Sequence, residues 1–174
     1  REVFAERKKE LKLQHQQWEE KLAGWKKSDR EQAKLWDSHW EKKLPDDLLN
    51  QLIDSISGEE DATRNLSGKV IQKMAELIPS LVGGSADLEP SNKTLIKNTE
   101  SIRPSSLDSD SAPDPSFSGR NIHFGIREHA MGGITNGLAL FGSWRPFCGT
   151  FAVFSDFMRP SIRLAAISKL SSIF

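Results

Sequence analysis

The sequence predicts an α/β fold: an incomplete parallel sheet flanked by helices, preceded by a charged helical segment. Three observations carry that reading. Short runs at Leu81-Val82, Ile122–Gly125 and Arg145–Phe151 have the length and character of buried strands. Helix-length stretches between them place apolar residues three and four apart, which gives the strand–helix–strand rhythm of a parallel sheet. Residues 1–50, by contrast, hold 12 Lys/Arg and 11 Asp/Glu with a single glycine and a single proline, a composition suited to solvated helices. The expected organisation is therefore a helical segment over 1–60 and an α/β domain over 61–174.

Four of the five tryptophans lie in the first segment. Trp18, Leu22 and Trp25 share one helical face, and so do Trp36 and Trp40, with Glu10, Glu19 and Lys26 expected to point outward. Such stripes suit a partner-binding arm or a linker packed on a neighbouring domain; sustained heptads are missing. Leu44-Pro45-Asp46-Asp47 begins another helix, with Leu48, Leu49, Leu52, Ile53 and Ile56 on its apolar face and Gly58 at its end.

In the second segment, Thr63 is the expected cap of a helix whose stripe is Leu66, Val70, Ile71, Met74, Leu77 and Ile78. Pro79 stops it, and strand Leu81-Val82 runs into a loop over Gly83–Asp87. Residues 99–119, rich in Ser, Pro and Asp, read as an exposed loop. Arg127–Leu140 reads as a helix whose Gly132, Gly133 and Gly137 imply a close neighbour. Phe154–Ser168 is the next helix, and Ser171–Phe174 begins a fourth strand. Ending there leaves a sheet edge bare, an invitation to non-native pairing. The absence of an initial Met and the apolar last residues suggest a piece of something longer.

Lys plus Arg number 24 and Asp plus Glu number 24, so the net charge is zero and gives no whole-chain reason to expect nucleic acid or an anionic membrane. No apolar run approaches the roughly 20 residues of a membrane helix. The single cysteine, Cys148, suits a reducing compartment and a small place in the core, and a cytoplasmic location is expected.

Three segments could carry chemistry. The loop Gly83-Gly84-Ser85-Ala86-Asp87-Leu88-Glu89-Pro90-Ser91-Asn92 offers glycines for close backbone approach, the Asp87 carboxylate and the Ser91 hydroxyl. It is not a P-loop, because no Gly-Lys-Ser/Thr follows, and it reads equally as a turn with a capping serine. Arg64, near the start of the preceding helix, is either a ligand cation or an ordinary surface arginine. Gly125-Ile126-Arg127-Glu128-His129 places Glu128 at a strand-to-helix junction, where it either caps the helix or shares a proton with a ligand. Phe151, Phe154 and Phe157 form a core stripe or an aromatic wall for a planar heterocycle. His123 and His129 lack zinc-like spacing, and no metal site is expected.

Taken together, Gly-Gly-Ser-Ala-Asp-Leu-Glu-Pro-Ser-Asn at 83–92, Phe-Gly-Ile-Arg-Glu-His-Ala-Met-Gly at 124–132 and Cys-Gly-Thr-Phe-Ala-Val-Phe-Ser-Asp-Phe at 148–157 resemble transketolase in order and spacing. The resemblance is clear from about residue 61 onward and faint before it. It implies a thiamine-diphosphate-dependent homodimer acting on sugar phosphates, with this chain running from the end of the first domain into the pyrimidine-binding domain. It implies that Glu128 hydrogen-bonds N1′ of the aminopyrimidine and so promotes loss of the thiazolium C2 proton. It makes Phe151, Phe154 and Phe157 the wall around that ring, Asp87 a neighbour of the thiazolium, and Arg64 and Ser91 the sugar-phosphate ligands. Phe157 stands where the family often has tyrosine. The Gly-Asp-Gly…Asn pattern that holds the divalent cation (Mg or Ca) and the diphosphate is missing, so the fragment alone is expected to be inactive. The alternatives are a dihydroxyacetone synthase-like relative or a non-catalytic scaffold or interaction module.

Overall fold

The computed structural model describes residues 2–58, 60–102 and 117–174. The chain divides into two compact units, Arg1–Ser38 and His39–Phe174.

The first unit is helical. Helix α1 spans Glu2–Ser28, and α2 starts at Arg30 and runs to Glu41, its end lying in the second unit. Asp29 separates them: its side-chain oxygen accepts the Gln32 backbone N–H at 3.0 Å, which caps α2. The break lets Trp25 and Trp36 meet edge to face, with centroids 6.0 Å apart. Lys26 departs from its expected outward position, because it forms an ion pair with Asp37 across the same bend.

In the second unit, helices α3 (Leu48–Asp54) and α4 (Thr63–Leu77) precede strand β1 (Leu81–Ser85) and the single turn α5 (Glu89–Asn92). Strands β2 (Ser101–Ile102) and β3 (Asn121–His123), helix α6 (Glu128–Phe141) and strand β4 (Arg145–Gly149) follow. A 3-10 helix over Ala152–Met158 leads into α7 (Arg159–Ile167). The strands are ordered β2-β3-β1-β4 and pair in parallel throughout, as the strand–helix rhythm requires. Ile173 adds a parallel bridge to Phe147, the start of the expected further strand.

Alternation along the strands gives the sheet two apolar faces. Leu81 and Phe147 pack with Ala75, Ile78 and Ile96 on the α4 side. Cys148 packs with Ala86, Phe124, Met131 and Met158 on the side of α6 and α7.

Several local expectations are corrected. Gly83 and Gly84 are not loop residues; they lie in β1, the strand between β3 and β4. A Cβ at Gly83 would strike the carbonyl oxygen and ring of Phe147, and one at Gly84 the carbonyl oxygen of Ile122. The two glycines serve sheet closure, not ligand approach. Thr63 does not cap α4: Ala62 holds that position, and the Asp61 carboxylate beside it accepts from the Ala62 N–H at 2.7 Å and the Asn65 amide at 2.8 Å. The helix expected over Phe154–Ser168 is divided, with Pro160 in the first turn of α7, where the missing N–H costs no helical bond. Within 99–119, Ser101 and Ile102 are not loop but the edge strand β2, with Ser101 fully buried; residues 103–116 lie outside the described residues. Among the described residues, only Gly132 of the three α6 glycines meets a close neighbour, Ser161 of α7, and Gly133 and Gly137 have none within 4 Å.

Two side chains tie the sheet to its surroundings. Arg120 donates to the carbonyls of Ala75 (3.0 Å), Ile78 (2.9 Å) and Leu81 (2.8 Å), satisfying the acceptors where α4 turns into β1. Asn121, buried in β3, accepts from the Ile96 N–H at 2.8 Å and donates to the Ile96 carbonyl at 2.9 Å. Replacing Asn121 with Ala strands both backbone groups in the interior. A loss of about 2–3 kcal/mol in denaturant unfolding is expected; a loss below about 0.5 kcal/mol would show that the pair is not holding the loop.

Candidate functional site

The chain leaves the centre of the sheet in opposite directions from β1: toward β3 and β2 first, then through α6 to β4 on the other side. Ligands of such sheets gather beyond the carboxyl ends of the strands near such a reversal. A cleft of about 370 Å³ lies there, lined by Ala86, Asp87 and Leu88 after β1, Ile126 and Glu128 after β3, and Phe154 and Phe157 after β4.

Each wall has a local cause. The turn after β1 is closed by the Ser85 hydroxyl, which accepts the Leu88 N–H at 3.0 Å. Asp87 sits in that turn with φ +62°, a left-handed conformation that Asp tolerates better than most residues. Farther along, the Asn92 amide donates to the Gly149 carbonyl at 3.2 Å and accepts from the Thr94 hydroxyl at 2.9 Å, which fastens this loop to the end of β4. Glu128 is the first residue of α6 and is buried, with 9% of its surface exposed. Among the described residues no hydrogen bond to its carboxylate is present. The helix N-terminus favours negative charge at that position, so the carboxylate is held at the cleft with its acceptor capacity unspent.

The aromatic side is a ladder. Phe151 and Phe154 stack with centroids 6.3 Å apart and planes 19° apart, and Phe154 and Phe157 repeat the spacing at 30°. Phe154 and Phe157 stand one turn apart on the 3-10 helix, whose repeat is three residues per turn, and Phe151 is its N-cap residue.

Asp87, Glu128, Phe154 and Phe157 therefore come together in one cleft. Phe151 reaches it only through Phe154; its other side borders a larger groove of about 770 Å³ along α4 and β4, and Arg64 lines that groove as well. Ser91 is exposed on α5 and lines neither space. Ile126, 80% exposed, was absent from the sequence-based candidates. A large apolar side chain between Gly125 and Arg127 was the available signal.

Cys148 lies beneath the site in the α6-side core, and burial pushes its thiol pKa up despite a hydrogen bond with Thr135. Among the described residues no three His, Cys, Asp or Glu side chains are grouped to hold a metal ion.

Residues 59–174 match the family model described as the pyrimidine binding domain of transketolase. The transketolase of Geobacillus stearothermophilus is 45% identical over 157 residues, covering 90% of this chain and 22% of that protein. That of Dictyostelium discoideum is 37% identical over 174 residues, covering 100% of this chain and 25% of the relative. Among solved structures, transketolase from Pichia stipitis in complex with sedoheptulose-7-phosphate superposes with a TM-score of 0.77 at 36% identity, over 90% of this chain and 23% of that one. The chain thus spans about a quarter of the length of these relatives.

The buried thiol yields a prediction with a definite sign. A thiol whose folded pKa is raised favours the protonated, folded form below its ordinary pKa, and that contribution is lost as pH rises through the folded value. Cys148 should resist a thiol reagent at pH 8 until the chain is unfolded, and replacing it with Ala should flatten the decline of stability above about pH 8.5. Rapid labelling of the folded chain at pH 8 would contradict this burial.

Proposed function

The chain belongs to the transketolase family, and we propose that it supplies the aminopyrimidine-binding half of a thiamine-diphosphate site. The reaction proposed for the full-length enzyme is transfer of a two-carbon ketol unit between sugar phosphates. The observation that supports this is the buried Glu128 carboxyl opening into a cleft walled by Phe154 and Phe157. A cleft of about 370 Å³ with an aromatic wall and two acids, of which Glu128 is the buried one, matches a flat heterocycle with ring nitrogens in both size and polarity.

When bound, the cofactor supplies the stabilised carbanion chemistry that no protein side chain provides. The work of this chain is to bind, orient and move a proton. Glu128 hydrogen-bonds N1′ of the ring and shares or releases a proton at that atom. Phe154 and Phe157 hold the ring flat and exclude water, with Phe151 backing Phe154. Asp87 faces the thiazolium side. Arg64 and Ser91, on α4 and α5 outside the cleft, take the phosphate end of the sugar through a guanidinium and a hydroxyl. The Pichia stipitis relatives bound to sugar phosphates support that substrate class.

The divalent cation (Mg or Ca) and the grip on the diphosphate belong to residues outside this chain. In the homodimer the first domain of a partner subunit completes the site, so the isolated 174 residues are inactive. Residues 61–174 form the N-terminal part of the pyrimidine-binding domain, with 1–60 as its helical linker. No helix of the described residues is long and apolar enough to cross a membrane.

The test is Glu128→Gln in the full-length enzyme, which keeps the shape and removes the ionisable proton. Turnover should fall by about 10²–10⁴ while the unfolding midpoint of the cofactor-free protein stays within a few degrees. Undiminished turnover would overturn the role of Glu128.

A further inference from the structure

The hydroxyl of Ser91 stands on a weak element. Helix α5 is a single turn of four residues, too short to hold its own shape in water. Its entry is fixed by the Ser85 hydroxyl, which accepts the Leu88 N–H, and its exit by Asn92. The Asn92 side chain uses both ends of its amide. The nitrogen donates to the Gly149 carbonyl at the end of β4, 57 residues away in sequence, and the oxygen accepts from the Thr94 hydroxyl. A carbonyl can only accept, so Gly149 fixes which way the amide points, and the buried Thr94 hydroxyl donates to the other end. Gly149 admits this approach because it has no side chain: a Cβ there would come within 2.7 Å of the Thr94 methyl and 3.7 Å of the Asn92 amide nitrogen. The phenylalanine ladder begins at Phe151, the second residue after Gly149. Arg64, Asn92, Thr94, Gly149 and Phe151 border one groove.

We propose that Asn92 is a positioning residue: it holds Ser91 in step with the phenylalanine ladder, and so sets the span between the phosphate end of a sugar and the cofactor ring. The inference rests on the reading of Arg64 and Ser91 as phosphate ligands. Ser91 lies immediately before Asn92 on one side of the brace, and Phe151 lies just beyond Gly149 on the other. One hydrogen bond therefore ties the substrate loop to the strand that carries the aromatic wall. A span set in this way acts through binding. With the brace cut, a phosphorylated sugar is held less tightly before and during reaction alike, whereas the steps at the ring, which depend on Glu128, keep their rate.

The test compares xylulose 5-phosphate with xylulose as donor in the full-length enzyme, with glycolaldehyde as acceptor so that only the donor carries a phosphate. In Asn92→Ala the KM for xylulose 5-phosphate should rise about tenfold, while its kcat and the kcat/KM for xylulose fall by less than about threefold. Ser91→Ala, measured beside it, should show the same donor-selective rise. Thr94→Val, which keeps the shape and removes the hydroxyl, should raise the same KM about threefold, and Thr94→Ser should recover most of that loss. An equal fall in activity with both donors in Asn92→Ala would overturn the brace. So would an unchanged KM in Asn92→Ala while Ser91→Ala shows the rise. No donor-selective change in Ser91→Ala would overturn the phosphate reading itself, and the brace with it. Should Asn92→Ala not fold, the Thr94 pair decides: equal KM values for Thr94→Val and Thr94→Ser would overturn the proposal.

Discussion

The close approach of three backbones around Gly83 and Gly84 is the constraint on which the rest of the α/β unit depends. β1 is flanked by β3 and β4, and it passes between them only because those positions carry no side chain. Any Cβ would meet the carbonyl of Ile122 on one side or that of Phe147 on the other. Close pairing sets the register Gly83↔Asn121 and Gly83↔Phe147, and the register decides which loops share an end of the sheet. Ala86–Leu88, Ile126–Glu128 and the phenylalanine ladder face one another because the three strands that deliver them are locked in step.

That arrangement also separates two kinds of residue. The cleft sets two acids, exposed Asp87 and buried Glu128, beside aromatic rings, and a ring seated there would cover Glu128 and strengthen a hydrogen bond to it by displacing water. Arg64 and Ser91 stand outside it, where charge and hydroxyl groups stay solvated. A flat, weakly polar group suits the first setting and a strongly hydrated anion the second. The division follows from solvation alone: an ion buried without a partner is costly, whereas a heterocycle loses little on entering an aromatic pocket.

Much of this was legible in the sequence, for physical reasons. The strand and helix periods are local properties, so the parallel α/β class and most element positions could be read directly. Glu128 was legible because it sits at a strand-to-helix junction, and Phe151, Phe154 and Phe157 because a spacing of three aligns side chains on a tight helix. Spacing could not tell a core stripe from a ligand wall; exposure of Phe157 decides that it faces the cleft. The roles of Gly83 and Gly84 were hidden because they depend on Ile122 and Phe147, distant in sequence. β2 was hidden because two residues carry no period, and Ser101 belongs to the sheet only through its pairing with Asn121. Arg120 and Asn121 gave no warning that they would satisfy carbonyls and amides 25 to 45 residues away.

The most direct measurement is a crystal structure of the full-length enzyme with thiamine diphosphate bound. The expected result is an aminopyrimidine ring seated on Phe154 and Phe157, with its N1′ about 2.7–3.0 Å from a Glu128 carboxylate oxygen. A ring bound instead in the groove beside Arg64, with Glu128 turned away or paired to protein, would contradict it.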